Sequence, residues 1–333
     1  MAKKSPKESV VVSTRPAGQR MSAAIAGRPP VVAVLGHVDH GKTTLLDTIR
    51  KANVASREHG GITQHIGAYQ IEYKTKSKES RKITFIDTPG HEAFSKIRSR
   101  GASAADIAIL VVAANDSVKP QTIESIAQIK AANIPMIVAI NKVDLPGVII
   151  DKVKSDLAKH EVQVEGFGGD VPFVLVSAKE GTGVADLLEL ILLVADMKGL
   201  DGSADGTVHA VVIEAKVDKF RGQVATLLIR SGTLVGGNTL YEGEKVLGKV
   251  RAMLDEAGAK VAEAGPGKPV EVLGFSSLPS IGAVISTAPE VREAAAVKPT
   301  QKSDNVADFL AAMTLADKKR LKLYIKADTS GSL

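Results

Sequence analysis

The chain has 333 residues, 24% of them charged, a net charge of +6, 3% aromatics and no cysteine. That length allows two or three domains. The missing cysteines exclude a disulfide framework, no apolar run reaches the ~18 residues of a membrane-spanning helix, and so few aromatics argue against a base-stacking platform. The charge is unevenly placed. Residues 1–30 hold Lys3, Lys4, Lys7, Arg15, Arg20 and Arg28 against Glu8 alone, which leaves that segment at +5. With Ser, Pro and Gly and little periodicity, residues 1–29 read as a basic flexible tail. A solubilising leader, an arm that touches nucleic-acid phosphates and an acid-poor transit peptide all stay open for it.

From residue 30 to 198 strands and helices alternate. This pattern predicts an α/β domain with a mostly parallel sheet and helices on both faces. Val31–Leu35 is an apolar run that reads as a buried strand, and Thr44–Arg50 reads as a helix. Between them Gly36-His37-Val38-Asp39-His40-Gly41-Lys42-Thr43 fits G-x-x-x-x-G-K-T, a phosphate-binding loop. Strand, loop and helix are the context that motif needs. Backbone N–H groups of Val38, Asp39, His40, Gly41, Lys42, Thr43 and Thr44 would cradle phosphate oxygens, helped by the helix N-terminus. Lys42 would reach the β- and γ-phosphates, and the Thr43 hydroxyl would bind Mg²⁺.

Ala68–Tyr73 reads as the second strand. Lys82–Asp87 is a third strand that ends in an acid and leads into Thr88-Pro89-Gly90. A carboxylate at a strand's C-terminal end lies on the ligand side of an open α/β sheet. Asp87 therefore fits the Mg²⁺ side, and the Gly90 N–H fits a γ-phosphate oxygen. Strand Ile134–Ile140 runs into Asn141-Lys142-Val143-Asp144, and Val171–Val176 runs into Ser177-Ala178-Lys179. An acceptor-only carboxylate at Asp144 can take the ring N–H and exocyclic amine of guanine, a donor pair that adenine lacks. The backbone of Ser177, Ala178 and Lys179 would meet the guanine oxygen. The apolar run Leu187–Val194 carries Glu189 and reads as the last helix of this domain.

Gly199–Gly206, with three glycines and two aspartates, reads as a linker. Residues 207–289 then change pattern to short apolar strands with Gly-rich turns: Val208–Ile213, Gly222–Arg230, Thr239–Tyr241, Val246–Met253 and Val270–Phe275. That spacing predicts a small antiparallel β-barrel. Residues 290–303 read as a second linker. Residues 304–333 hold one helical and one strand pattern, which cannot bury a core of their own and read as the start of an incomplete third domain.

Four stretches carry a resemblance to the translational GTPases, specifically to the bacterial-type translation initiation factor two family. They are Gly36–Leu46, Gly60–Tyr69, Asp87–Phe94 and Pro120–Ile123, joined further on by Arg221–Thr226. Elongation factors of the superfamily usually have Arg-Gly-Ile-Thr where this chain has Gly60-Gly61-Ile62-Thr63, so an elongation or tRNA-delivery factor is the disfavoured alternative. The resemblance implies GTP hydrolysis with Mg²⁺. Ser56–Gly67 would be the first switch, its Thr63 hydroxyl reaching Mg²⁺ when the γ-phosphate is present. The second switch would start at Asp87 and run into a helix near His91–Arg100, with His91 orienting the attacking water. It also implies a ribosomal partner. The β-barrel would contact small-subunit RNA through Arg221, Arg230, Lys245, Lys249 and Arg251, and the large subunit would activate hydrolysis. A cytoplasmic monomer is expected, and initiator tRNA would bind only the full-length factor, since the chain reads as truncated before that domain.

Overall fold

A computed structural model describes residues 27–50, 67–88 and 95–289. Thr63, Gly90, His91, residues 1–26 of the basic tail and everything from residue 290 lie outside the described residues. The first unit contains β1 (Val31–Gly36), α1 (Lys42–Arg50), β2 (Gly67–Lys74), β3 (Ser80–Asp87), α2 (Ser95–Ser103), β4 (Ile107–Ala113), α3 (Pro120–Ala132), β5 (Met136–Asn141), α4 (Ile150–Ala158), β6 (Phe173–Leu175) and α5 (Val184–Lys198). Its six strands lie in the order β2-β3-β1-β4-β5-β6. All neighbours are parallel except the β2–β3 pair.

β1 is buried along its whole length, which explains why it reads as an unbroken apolar run, and the neighbouring β4 is buried in the same way. The odd residues Val31, Ala33 and Leu35 pack with Ile126 and Ile129 of α3 and Leu157 of α4. The even residues Val32 and Val34 pack with Leu45 of α1 and Leu187 and Ile191 of α5. The helix ends follow local chemistry. α3 opens on Pro120, whose missing N–H is not needed there, and Asn133 closes it in the left-handed region at φ 51°. Gly199, at φ 61°, closes α5 with its N–H on the Asp196 carbonyl.

The second unit contains β7 (His209–Asp218), β8 (Gly222–Ser231), β9 (Leu234–Val235), β10 (Thr239–Glu242), β11 (Lys245–Leu254), β12 (Lys260–Val261), β13 (Glu263–Ala264), β14 (Pro269–Phe275) and β15 (Val284–Ser286). Antiparallel neighbours follow the order β10-β15-β7-β8-β14-β11, and a β10–β11 pairing closes the ring. The expected barrel is present, but the five expected strands do not close it. β15 does so, pairing with β7 on one side and β10 on the other.

The two units are joined by a buried ionic cluster. Asp106, between α2 and β4, accepts both Arg28 guanidinium ends at 2.5 and 2.6 Å. Arg230 of β8 reaches the same carboxylate at 3.1 and 3.3 Å, and the Val31 N–H donates to it at 2.9 Å. Two sequence expectations need correction here. Arg28, counted with the tail, is docked on the first unit. Arg230, expected to face RNA, is turned inward because the buried Asp106 carboxylate needs partners. A second contact runs from β2 and β3 to the barrel. Gln70 Nε2 donates to the Gly267 carbonyl at 3.1 Å, and the Thr84 hydroxyl donates to the same oxygen. Ile213 and Leu228 of the barrel join the apolar cluster of Val31 and Ala105.

Candidate functional site

The candidate residues gather where the parallel strands end. β1 stops at Gly36, where a Cβ would sit 2.4 Å from the Val111 carbonyl oxygen of β4. The loop then turns through Asp39 at φ 62° and Gly41 at φ 85°. α1 starts at once, its Leu45 N–H bonded to the Gly41 carbonyl at 2.9 Å. Lys42 folds back so that Nζ donates to the His37 carbonyl at 2.7 Å across the loop. The predicted strand–loop–helix geometry is therefore present.

Asn141, the last residue of β5 and almost fully buried, ties three segments together. Its Nδ2 donates to the His40 carbonyl at 2.9 Å, and its Oδ1 accepts the Ala178 N–H at 2.9 Å. A Cβ on Gly41 would come within 2.4 Å of that Nδ2, so the contact needs glycine as well as asparagine. Thr48 of α1 adds a hydroxyl bond to the Ala178 carbonyl at 2.6 Å. The Ser177 hydroxyl donates to Asp144 Oδ1 at 2.7 Å and holds that carboxyl below the usual carboxylate range. Lys142 stands between them in the left-handed region at φ 63°. Asn141 thus joins the phosphate loop to Ala178, and Ser177 joins Asp144 to the same segment, although more than 30 residues separate Asp144 from Ser177.

Asp87 is the last residue of β3, in register with Val34 near the end of the neighbouring β1, and Thr43 lies in the first turn of α1, which follows the loop after β1. A hydroxyl and a carboxylate are hard oxygen donors of the kind Mg²⁺ takes, with phosphates and water completing its shell. Among the described residues no group of three or more His, Cys, Asp or Glu could hold a metal by itself.

The structure adds one residue to which sequence reasoning gave no role. Gln121, buried in the first turn of α3, accepts the Val38 N–H at 3.0 Å. Val38, expected among the phosphate donors, directs its amide at this side chain. His40 is wholly buried, with Nδ1 3.4 Å from the Val111 carbonyl oxygen, and burial pushes its pKa down to about 4. It is therefore neutral near pH 7 and serves the loop through its backbone. The signal for Gln121 was the Pro120-Gln121-Thr122-Ile123 stretch, whose side chain has no reason to be buried unless it has a polar partner.

A phosphate loop, an acid at the next strand end and an Asn-Lys-x-Asp loop on a parallel sheet, followed by a closed β-barrel, define a P-loop GTPase domain with its barrel partner. The family described as "Elongation factor Tu GTP binding domain" matches residues 28–196, and "Elongation factor G domain 2" matches residues 207–288. The chain belongs to the elongation factor Tu GTP-binding domain family. It is 49% identical to translation initiation factor IF-2 of Prochlorococcus marinus strain MIT 9211, over 92% of this chain and 29% of that protein. The IF-2 of Desulforamulus reducens is also 49% identical, over 92% of this chain and 32% of that one. The chain spans about a third or less of the length of these curated relatives. The crystal structure of GDP-bound aIF5B from Aeropyrum pernix matches with a TM-score of 0.60 at 31% identity, covering 78% of this chain and 54% of that one.

Proposed function

We propose that this chain is the GTP-binding and GTP-hydrolysing core of a translation initiation factor, acting in ribosomal subunit joining with hydrolysis triggered on the ribosome. The observation that carries this reading is the Asn141 knot. One buried amide locks the phosphate loop to the Ser177-Ala178 loop, and Ser177 in turn holds the carboxylate that would read guanine. The likeness to IF-2 over most of the chain supports the initiation assignment over an elongation or tRNA-delivery factor.

In this reading the backbone of Asp39 to Thr44 binds the phosphates, and Lys42 leaves the His37 carbonyl for the β- and γ-phosphate oxygens. Asn141, Lys142, Asp144, Ser177, Ala178 and Lys179 form the guanine side. Thr43, Asp87 and Thr63 would hold Mg²⁺, which when bound neutralises charge across the β- and γ-oxygens. The Gly90 N–H meets the γ-phosphate and His91 orients the attacking water, work that needs positioning more than a strong base. Residues 28–198 act as the hydrolytic unit, 207–289 as the barrel that contacts small-subunit RNA, and 1–27, 199–206 and 290–303 as tail and linkers. The chain works as a cytoplasmic monomer, and recognition of initiator tRNA belongs to the longer factor.

Two measurements test this. Fluorescent GDP and GTP should bind with Mg²⁺, with ATP failing to compete. Purified ribosomes should raise the rate of GTP turnover. Equal competition by ATP sinks the base assignment, and turnover unchanged by ribosomes sinks the triggered reaction.

A further inference from the structure

Ala178, in the loop after β6, is held from two sides. Its N–H donates to Asn141 Oδ1 at 2.9 Å, and its carbonyl accepts the Thr48 hydroxyl at 2.6 Å. Thr48 belongs to α1, the helix that follows the phosphate loop. Its hydroxyl oxygen also lies 2.9 Å from the Thr44 carbonyl one turn back. A hydroxyl has a single proton to give. The Thr44 carbonyl already has the Thr48 N–H as its partner in the helix ladder. The Ala178 carbonyl has no other donor among the described residues, and it is the nearer of the two. The proton therefore goes to Ala178. That residue is buried, so water does not replace the bond.

A trans peptide is planar, with its C=O and N–H pointing opposite ways. No peptide among the described residues is cis. The Ala178 carbonyl shares its peptide with the Lys179 N–H. A grip on that carbonyl from α1 therefore aims the Lys179 N–H away from α1, and Lys179 is exposed where Ser177 and Ala178 are buried. The neighbouring amides are already used. The Ser177 N–H reaches the Thr182 carbonyl at 3.0 Å, the Glu180 N–H the Ser177 hydroxyl oxygen at 3.2 Å, and the Gly181 N–H the Ser177 carbonyl at 2.8 Å. From Ser177 to Gly181, the Lys179 N–H is the one amide that meets no acceptor among the described residues. The sequence leaves Ser177, Ala178 and Lys179 equal as donors to a guanine oxygen; the structure separates them.

We propose that Thr48 is a positioning residue for base recognition. By holding the Ala178 carbonyl, its hydroxyl aims the Lys179 N–H at the oxygen on C6 of guanine. This rests on the guanine-nucleotide reading above. Asp144 takes the ring N–H and the exocyclic amine, so the two loops read different atoms of one base. Adenine carries an amine at C6 and would set a donor against this donor.

The test uses the full chain, three nucleotides and two variants. Thr48→Val keeps the side-chain volume and removes only the hydroxyl. GDP and inosine diphosphate both carry the C6 oxygen, and inosine lacks the amine that Asp144 would take. In 6-thio-GDP sulfur, a weak acceptor, replaces that oxygen. Thr48→Val should weaken GDP and inosine diphosphate alike by roughly threefold to tenfold, the scale of one hydrogen bond, and change 6-thio-GDP by less than about twofold. Thr48→Ser, which keeps the hydroxyl, should bring GDP back to within about twofold of wild type. Unchanged GDP affinity in Thr48→Val overturns the proposal. So does an equal loss for all three nucleotides, which marks a merely structural role, and so does a loss that spares inosine diphosphate, which would act through Asp144. If Thr48→Val gives no folded protein, amide exchange in the wild type decides. The Lys179 N–H should exchange more slowly once GDP is added, with smaller changes at Ser177 and Ala178; no slowing at Lys179 overturns the proposal. A wild type that binds no GDP removes the guanine-nucleotide reading and this inference with it, whereas a wild type that binds GDP with any of the contrary patterns removes this inference alone.

Discussion

Replacing Asp106 by alanine should be among the most damaging single changes between the two units. Its side chain is 5% exposed, against 9% for Arg28 and 23% for Arg230. Alanine would leave two guanidinium groups facing each other in a mostly dry seam and would orphan the buried Val31 N–H. Removing one partner of a buried ion pair costs about 3–5 kcal/mol, because the remaining charge is stranded. At roughly 2–4 °C per kcal/mol for units of this size, the melting temperature should fall by about 6–20 °C. Arg230→Ala removes the longer arm and leaves the Arg28 pair whole, so its cost should be on the order of 1 kcal/mol. Burial alone would raise the Asp106 carboxyl, but the Arg28 hydrogen bond and the two cations hold it below the usual carboxylate range. The folded value is thus depressed relative to the unfolded value of about 3.9. The stabilisation is then complete above about pH 4 and is lost as pH falls through the folded value. Thermal melts by circular dichroism at several pH values read both effects. A difference between wild type and Asp106→Ala below about 2 °C at pH 7, or one that grows on acidification, would refute the argument.

The nucleotide site gives two further tests. Asp144→Asn should weaken GTP binding and improve binding of xanthosine triphosphate, because xanthine offers an acceptor where guanine has a donor; titrating both nucleotides decides it, and an unchanged preference would falsify the guanine assignment. His91→Ala should leave GDP affinity within a few-fold and lower ribosome-stimulated hydrolysis by roughly two orders of magnitude, whereas Lys42→Ala should lose nucleotide binding itself; normal turnover by His91→Ala on ribosomes removes its assigned role.

The phosphate loop was legible because its information is local. An apolar run, a glycine pattern and a helix pattern sit within 20 residues, and β1 is buried on both faces, so no alternation masks it. Asp87, Asn141 and Ser177 were legible for a related reason, since each follows a strand that sequence marks clearly. The Asp106 cluster was not legible. Its arms come from 78 residues before and 124 residues after, and no local rule distinguishes Arg230 from the other bases of the barrel. β15 escaped because three residues carry too little pattern, although it closes the ring.

The barrel's bases separate into two kinds, and RNA binding should separate them too. Arg230 is committed to Asp106, and Arg221 is paired with both Asp218 and Glu271. Lys245, Lys249 and Arg251 are exposed on β11, where Lys249 and Arg251 alternate with the buried Leu247, Val250 and Met253. A base already holding a carboxylate has little net charge to offer a phosphate and releases few counterions on binding. An exposed, uncommitted base neutralises one phosphate and contributes about one to the slope of log affinity against log salt. Alanine at Lys249 or Arg251 should therefore weaken binding to small-subunit RNA and flatten that slope by roughly 1 each. Arg221→Ala should flatten it much less. Arg230→Ala should lower the melting temperature and leave the slope alone. Measuring affinity by filter binding over a salt series, for the four variants and wild type, orders these residues directly. A slope that falls as much for Arg230→Ala as for Arg251→Ala would mean that the barrel swings away from Asp106 when it meets RNA, and the buried cluster would then be a feature of the unbound chain only.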